Sequence, residues 1–382
     1  MASERTKGGD VLNSQGSEIQ SVDCYPARLP LRKPLVMSTY RIDDGPVLFV
    51  RIRSSDGAEG WGEAPANSIM SGETLEGMHA IIENYMKPRL IGRSALDRKG
   101  LLQEIRAGLH GNTGALTAID LALLDLAGRI LGVSAINLLG GAIRRRVRPL
   151  WLIGGSGIPE SDVDEAINLR RQGFTAFKLK VGVAPVETEI RSLKMLREAL
   201  GPEALLAADA NMGWDVGTAI RFTHAVAQYG IAFLEQPTKA GDVSRIAAVS
   251  AASPIPIGAD ESIHSNGDLL AHVRANAIRG VSLKSIKLGG VSAVVDSGHL
   301  SDALGLSVNL AMLMESSLAT AAMVHAACAI PQIDWGLSLG HLWLAEDPVH
   351  QPLVCVDGMI DCPQGPGLGV TVDERRIAAL AC

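Results

Sequence analysis

Five charged residues in this chain stand near the ends of short apolar runs. They are Lys180 in FKLKVG, Asp209 in LLAADAN, Glu235 in IAFLEQP, Asp260 in IPIGADES and Lys284 in GVSLKSIKLGG. The intervals between them are 29, 26, 25 and 24 residues. A strand, a helix and two loops use about that many residues, so the five occupy equivalent places in successive βα units. In a barrel of such units the strand C-termini converge on one open face. Three carboxylates then meet between two lysines. Three hard oxygen ligands suit a Mg2+ or Mn2+ ion and leave coordination positions for substrate oxygens. One strand-end carboxylate alone is more often a helix cap or an ion-pair partner. Three in succession, each after an apolar run, are read as metal ligands: Asp209, Glu235 and Asp260. Asn211 and Glu261 stand beside them, Asn211 as a support for the ligands and Glu261 as a partner for a neighbouring lysine.

Lys178 and Lys180 are two residues apart and point the same way on a strand. An inward pair of lysines is costly unless the chemistry uses it, and Lys180, at the rim, is a candidate general base. For Lys178, plain balancing of the carboxylates is a fair rival. Lys284 lies across the metal from Lys180, while Lys287 is expected to face solvent or the following loop. A substrate held between Lys180 and Lys284 can lose a proton on one face and gain one on the other. A proton alpha to a carboxylate is very weakly acidic, and a divalent cation on that carboxylate stabilises the enediolate. The outcomes are re-protonation on the opposite face, expulsion of a beta group or, in reverse, lactone closure.

The elements that must position these groups follow from pattern. VLFVRIRS (47–54) alternates as a strand, and Asp56-Gly57 supplies a turn. Leu31–Tyr40, with Pro34 and mixed polarity, reads as a loop. LTAIDLALLDLAGRILG (116–132) reads as an amphipathic helix with Gly132 as its C-cap. Strands followed by helices without alternation suggest a compact α+β domain. From RPLWLIGG (148–155) the pattern alternates. Strand ends are expected near Ile153, Lys180, Asp209, Glu235, Asp260, Lys284, Asn309 and Trp335, the spacing of a closed eight-fold barrel. VETEIRSLKMLREAL (186–200) is one of the helices between them, stopped by Gly201-Pro202. The tail, 351–370, has hairpin and turn chemistry and is expected to return to the N-terminal domain. The divisions are thus a disordered polar leader over 1–17, a capping domain over 18–142, a barrel over 143–350 and a returning segment over 351–382.

The bulk numbers agree. The 382 residues accommodate one barrel and a smaller domain. With 35 basic and 41 acidic residues the net charge is −6, and there is no basic stripe that would suggest nucleic acid. The five cysteines are scattered without a CxxC, as expected of reduced thiols in the cytoplasm. The N-terminus lacks an apolar core for a signal peptide, and no apolar run suggests a membrane span. GxGxxG, GxxxxGK[ST] and HExxH are all absent. His264 and His341 fall near strand-end loops, where capping or solvation is the commoner role.

Together, GWGE (60–63), KLK (178–180), DAN (209–211), EQP (235–237), GADES (258–262), KSIKLGG (284–290) and MESS (314–317) resemble the enolase superfamily, and within it the muconate lactonizing enzyme subgroup. The resemblance implies an α/β fold: a modified (β/α)7β TIM-like barrel with an N-terminal α+β capping domain. It implies one Mg2+ or Mn2+ per subunit on Asp209, Glu235 and Asp260, with Lys180 and Lys284 as the acid/base pair. Lys178 would steer the substrate carboxylate. Glu315 would be a substrate-binding acid, with a helix N-cap partner as its rival role. A soluble homo-oligomer acting on a small carboxylate is implied. Capping loops at about Leu31–Tyr40 and Trp61–Ser71, and the eighth strand, would set the substrate. Dipeptide epimerases of the subgroup carry D-x-D or D-x-N on that strand. Here DWGLSLGHLWLAED has neither, and its GHLWLAED is similar to the cycloisomerase ending GPLLLTED apart from His341. A muconate-type cycloisomerase is therefore expected first. A racemase or epimerase of an N-acyl amino acid or dipeptide comes second, sugar-acid dehydration third, and a non-catalytic binding protein stands as the alternative from another class.

Overall fold

The computed structural model describes residues 16–38 and 41–382. The predicted leader lies outside the described residues through residue 15, as do Thr39 and Tyr40 of the predicted loop. Strands β1 (Ile19–Val36), β2 (Arg41–Ser54) and β3 (Glu59–Pro65) form an antiparallel sheet in that order. Asp56 closes the predicted turn, its Oδ1 accepting from Ser54 Oγ at 2.6 Å and Ala58 N at 3.0 Å.

The predicted loop at 31–40 is strand as far as Val36. Leu35 and Val36 pair with Ile42 and Arg41 after a register shift beyond Pro30. Pro30 and Pro34 are tolerated because β1 is an edge strand, where a missing N–H breaks no ladder on the open side.

The helix Thr113–Leu131, expected to be amphipathic, is buried continuously from Gly114 to Gly128. The sheet covers one side of it. Gly60 and Gly62 allow the contact: a Cβ on either would sit 2.3 Å from the Ala122 carbonyl oxygen or 2.1 Å from that of Ala118. The barrel covers another side, where Thr117 Oγ1 donates to Ser285 O at 2.8 Å. Gly132 ends the helix in the left-handed region, as its place in the sequence suggests.

After β4 (Arg146–Val147) come eight parallel strands, bonded in sequence order: β5 (Trp151–Ile153), β6 (Ala176–Lys180), β7 (Leu205–Asp209), β8 (Leu234–Glu235), β9 (Ile257–Ala259), β10 (Gly280–Leu283), β11 (Ser307–Leu310) and β12 (Gly336–Leu337). Leu150 N donates to Leu337 O at 2.9 Å and Leu337 N to Arg148 O at 3.1 Å, which closes the barrel. Among the described residues seven helices longer than one turn alternate with these strands, Pro159–Arg171 being the first and Ser317–Ala329 the last. The architecture is (β/α)7β.

The eighth strand ends at Leu337 and not at Trp335. Trp335 instead plugs the opposite mouth, stacked on Phe233 with ring centroids 3.9 Å apart and packed with Leu150, Ala176 and Ala207. Gly258 and Gly280 leave room for its ring, since a Cβ on them would lie 2.7 or 2.3 Å from it.

The hairpin of β13 (Cys355–Val356) and β14 (Met359–Asp361) adds to β4. The tail then returns to the N-terminal layer, where Leu368 N donates to Asp125 at 2.8 Å and Glu374 pairs with Arg51 at 2.8 Å. All five cysteines are free thiols. No helix of the described residues is long and apolar enough to cross a membrane.

Candidate active site

Lys180, Asp209 and Glu235 are the last residues of β6, β7 and β8, and Asp260 and Lys284 follow β9 and β10 directly. Register sets Lys180 beside Asp209 and Asp209 beside Glu235. None of the five is more than 6% exposed. Buried charges need partners, and here each acid has a lysine. Lys178 Nζ donates to Glu235 Oε2 at 2.5 Å, Lys180 Nζ to Asp209 Oδ2 at 2.6 Å and Lys284 Nζ to Asp260 Oδ2 at 2.5 Å. The oxygens of the three acids do not all fall within 4.8 Å of one another.

Asn211 lies against Asp209 and Lys180. Its N–H donates to Asp209 Oδ1 at 2.9 Å and its Oδ1 accepts from Lys180 at 2.8 Å. Glu261, expected to pair with a lysine, is instead held by Asn211 Nδ2 at 2.9 Å. Its other oxygen is buried without a hydrogen-bond partner.

Lys287, expected to face solvent, is fully buried. Its Nζ reaches Asp260 Oδ1 at 2.7 Å, Ser282 O at 3.1 Å and the Asp260 carbonyl. The cause is local. The chain turns from β10 into the short helix Ser285–Leu288, and three residues along a helix return to the same side. The i, i+3 spacing in KSIK was the signal.

Gln236 was also missed. Its backbone is left-handed, with φ 34°. Its Oε1 accepts from Asp260 N at 2.9 Å and Ser262 N at 3.2 Å, which fixes the backbone that carries Asp260.

The electrostatics follow from burial and these pairings. Burial pushes the Glu235 carboxyl up, Asp209 and Asp260 push the same way, and Lys178 opposes. Burial would raise Asp260 too, but the Lys284 and Lys287 ammoniums outweigh it and hold Asp260 well below the usual carboxylate range. Burial opposes the charge on Lys284, yet Asp260 and Glu261 hold it well above its ordinary value. Burial and the neighbouring acids push Glu261 up to about 7. Asp209, Glu235, Asp260 and Glu261 form a hard, oxygen-rich donor set, one oxygen of it unpartnered. Such a set fits a divalent cation that prefers carboxylate ligands.

Residues 20–140 match the mandelate racemase / muconate lactonizing enzyme N-terminal domain, and residues 162–376 match the enolase C-terminal domain-like family. The chain belongs to the mandelate racemase / muconate lactonizing enzyme family. It is 32% identical to muconate cycloisomerase 1 of Rhodococcus opacus over 94% of this chain and 97% of that one. The muconate lactonizing enzyme of Pseudomonas fluorescens, solved with muconolactone, superposes with a TM-score of 0.92 at 29% identity, covering 96% of this chain and all of that one. The N-succinyl Arg/Lys racemase of Bacillus cereus superposes with a TM-score of 0.90 at 26% identity, over 95% and 98% of the two chains.

In this family member, two segments of the N-terminal layer touch the barrel's open face. Ser38 Oγ donates to Ala210 O at 2.8 Å and Asn211 O at 3.0 Å. Met70 lies against Lys284, sulfur to Nζ 3.9 Å, in a cluster with Ile286 and Leu313. Both fall in the loops expected to set the substrate. Glu63 of GWGE docks the layer: its carboxylate accepts from Ser316 N at 2.6 Å and Ser316 Oγ at 2.5 Å.

Glu315 does not cap the next helix. Ser316 does so, Oγ accepting from Leu318 N at 3.1 Å. The Glu315 carboxyl is buried with Oε2 unpartnered, and burial pushes it up to about 7 against the pull of Lys284. His264 braces its own loop, Nε2 against Glu261 O at 3.0 Å. His341 is buried between Thr320 Oγ1 at 3.1 Å and Leu353 O at 3.0 Å, a tie between the last helix and the tail.

Proposed function

We propose that the chain is a muconate-type cycloisomerase, an isomerase of a small dicarboxylate. What carries this is the row of three strand-end carboxylates bracketed by Lys180 and Lys284, in a chain that matches muconate cycloisomerase 1 of Rhodococcus opacus over 97% of that enzyme's length. Asp209, Glu235 and Asp260 would hold one Mg2+ or Mn2+. When bound, that cation would neutralise the substrate carboxylate and the charge that develops beside it.

The remaining roles belong to the chain. Lys178, already set on Glu235, would orient the carboxylate. Lys180 and Lys284 stand at the two ends of the acid row, so either can exchange a proton with the carbon alpha to that carboxylate. In lactone closure the second carboxylate adds to the double bond, and a lysine gives its proton to the alpha carbon. In the reverse direction the same lysine takes it back. Residues 18–142 would cap the site, 143–350 would form the barrel and 351–382 would return to the cap.

Racemisation of an N-acyl amino acid is the second reading, since two lysines on opposite sides suit inversion and a racemase shares the fold. The eighth strand weighs against an amino-acid ligand with a free ammonium. It offers the Ser338 hydroxyl, buried and unpartnered, and no acid. Asp347, further along, is used on Ser317 N at 3.0 Å and Ser317 Oγ at 2.6 Å.

Proton NMR in D2O with Mg2+ separates the readings. cis,cis-Muconate should give a lactone with deuterium alpha to the carboxylate. Alpha-deuterium washing into N-succinyl amino acids, with no lactone from muconate, would establish the racemase instead.

A further inference from the structure

On the N-terminal layer, Cys24, His79 and Glu83 meet. Among the described residues they are the one set of three such side chains whose ligand atoms all lie within 4.8 Å of one another. Cys24 comes from β1. His79 comes from the helix Leu75–Ile81, and Glu83 from the π-helical turn Ile82–Met86 that continues it. Spaced by four, His79 and Glu83 share one face of that segment, and the face is turned to β1. All three are half-buried and none is sealed off from solvent.

The set is chemically unlike the barrel site. It joins a thiol, an imidazole and a single carboxylate, where the barrel offers only carboxylates. Cys24 makes no disulfide. Neither its thiol nor either ring nitrogen of His79 has a hydrogen-bond partner among the described residues. Glu83 does have one, Lys87 Nζ on Oε2 at 2.8 Å, which leaves its Oε1 for another use. That ion pair is about one-third exposed on both sides, so it holds Glu83 only weakly.

We propose that Cys24, His79 and Glu83 form a second metal site, for a borderline-soft divalent cation of the Zn2+ type. Sulfur and imidazole nitrogen select such an ion over Mg2+. Bonds of about 2.0–2.3 Å in a tetrahedron set ligand atoms about 3.3–3.8 Å apart, so about an ångström of side-chain movement closes the site. The Cys24 thiol gives its proton to solvent as the sulfur–metal bond forms. Water takes the fourth position, as it does where a protein supplies three ligands. The ion would clamp β1 to the segment Leu75–Met86 and so stiffen the N-terminal layer.

The test uses full-length protein stripped with chelator and then saturated with Mg2+, so that the barrel acids are filled. Zn2+ is titrated against a chromophoric chelator, and Co2+ is followed by absorption. The expected result is one Zn2+ per chain and a thiolate-to-cobalt charge-transfer band. Cys24→Ser should abolish the band, and both Cys24→Ser and His79→Gln should weaken Zn2+ by about tenfold or more. Cys24→Ser should keep its Mg2+-dependent activity, which shows that it is folded, and its melting temperature should no longer rise with Zn2+. Zn2+ binding unchanged in Cys24→Ser and His79→Gln but lost in Asp209→Asn would place the ion in the barrel and overturn the proposal. A Co2+ complex without sulfur absorption, or no Zn2+ uptake beyond the barrel, would overturn it as well.

Discussion

Lys284 and Lys287, three residues apart, close on the two oxygens of one carboxylate: Lys284 takes Asp260 Oδ2 at 2.5 Å and Lys287 takes Oδ1 at 2.7 Å. Their other contacts differ. Lys284 touches the Met70 sulfur at the cap, whereas Lys287 binds the Asp260 and Ser282 carbonyls beneath. In the proposed mechanism Lys284 faces the substrate and Lys287 braces the segment that carries Asp260.

Different failures should follow. Lys284→Ala should cut turnover by about 10²–10⁴-fold, because the proton carrier is gone. Lys287 remains to hold Asp260, so the fold should survive. Lys287→Met breaks a fully buried ion pair and leaves two carbonyls without their donor, so it should lower stability by about 3–5 kcal/mol. Steady-state lactone formation beside urea unfolding checks both. A Lys284→Ala enzyme of normal rate, or a Lys287→Met protein of normal stability, would reverse these roles.

Asp209→Asn keeps the shape of the side chain and removes its charge. Lys180 would then keep a neutral oxygen acceptor, while a hard dication loses one of three anionic ligands. Mg2+ affinity by calorimetry should fall about tenfold or more. An unchanged affinity would take Asp209 out of the ligand set.

Much of this site could be read from spacing alone. Lys180, Asp209 and Glu235 do end their strands, because βα units of nearly constant length leave little freedom in where a strand stops. Most of what escaped was set by contacts distant in sequence. Leu35 and Val36 become strand by pairing across a register shift with Arg41 and Ile42, which local composition around Pro34 conceals. The helix Thr113–Leu131 is buried on more than one side, and its own pattern shows only one. Lys287 needed the change from strand to helix at Ser285 to be placed. Nor does spacing reveal that each of the three acids is paired with a lysine of its own.

His341 gives a pH signature independent of the active site. Burial lowers its pKa from 6.5 to about 4, and its neutral ring donates once and accepts once, between Leu353 O and Thr320 Oγ1. The unfolded chain therefore binds a proton at higher pH than the folded one. Stability from this group is complete above about pH 6.5 and is lost as pH falls toward 4, by about 3 kcal/mol at most. Melting temperatures of wild type and His341→Gln should converge on going from pH 7 to pH 4.5. Parallel curves would mean that His341 titrates alike in the folded and the unfolded protein.

Two glycines to alanine should act in opposite directions. Gly100 lies within the helix Arg98–Gly108, and a Cβ there meets nothing within 4 Å. Gly100→Ala should raise stability by about 0.5–1 kcal/mol, by reducing the freedom of the unfolded chain and favouring helix. Gly62 is the reverse case. A Cβ there would stand 2.1 Å from the Ala118 carbonyl oxygen and 2.5 Å from the Ala122 nitrogen, both backbone atoms of a buried helix. Neither atom can rotate away, so β3 must lift from the helix, at a cost of about 3 kcal/mol or more. Glu63, the next residue, would move with it and loosen its bonds to Ser316, so the N-terminal layer would also shift over the barrel. Gly62→Ala should therefore lose stability and turnover together, while Gly100→Ala gains stability at unchanged turnover. Thermal melts and lactone formation on the two variants decide it, and a stable, active Gly62→Ala enzyme would show that the sheet does not rest on that helix as closely as described.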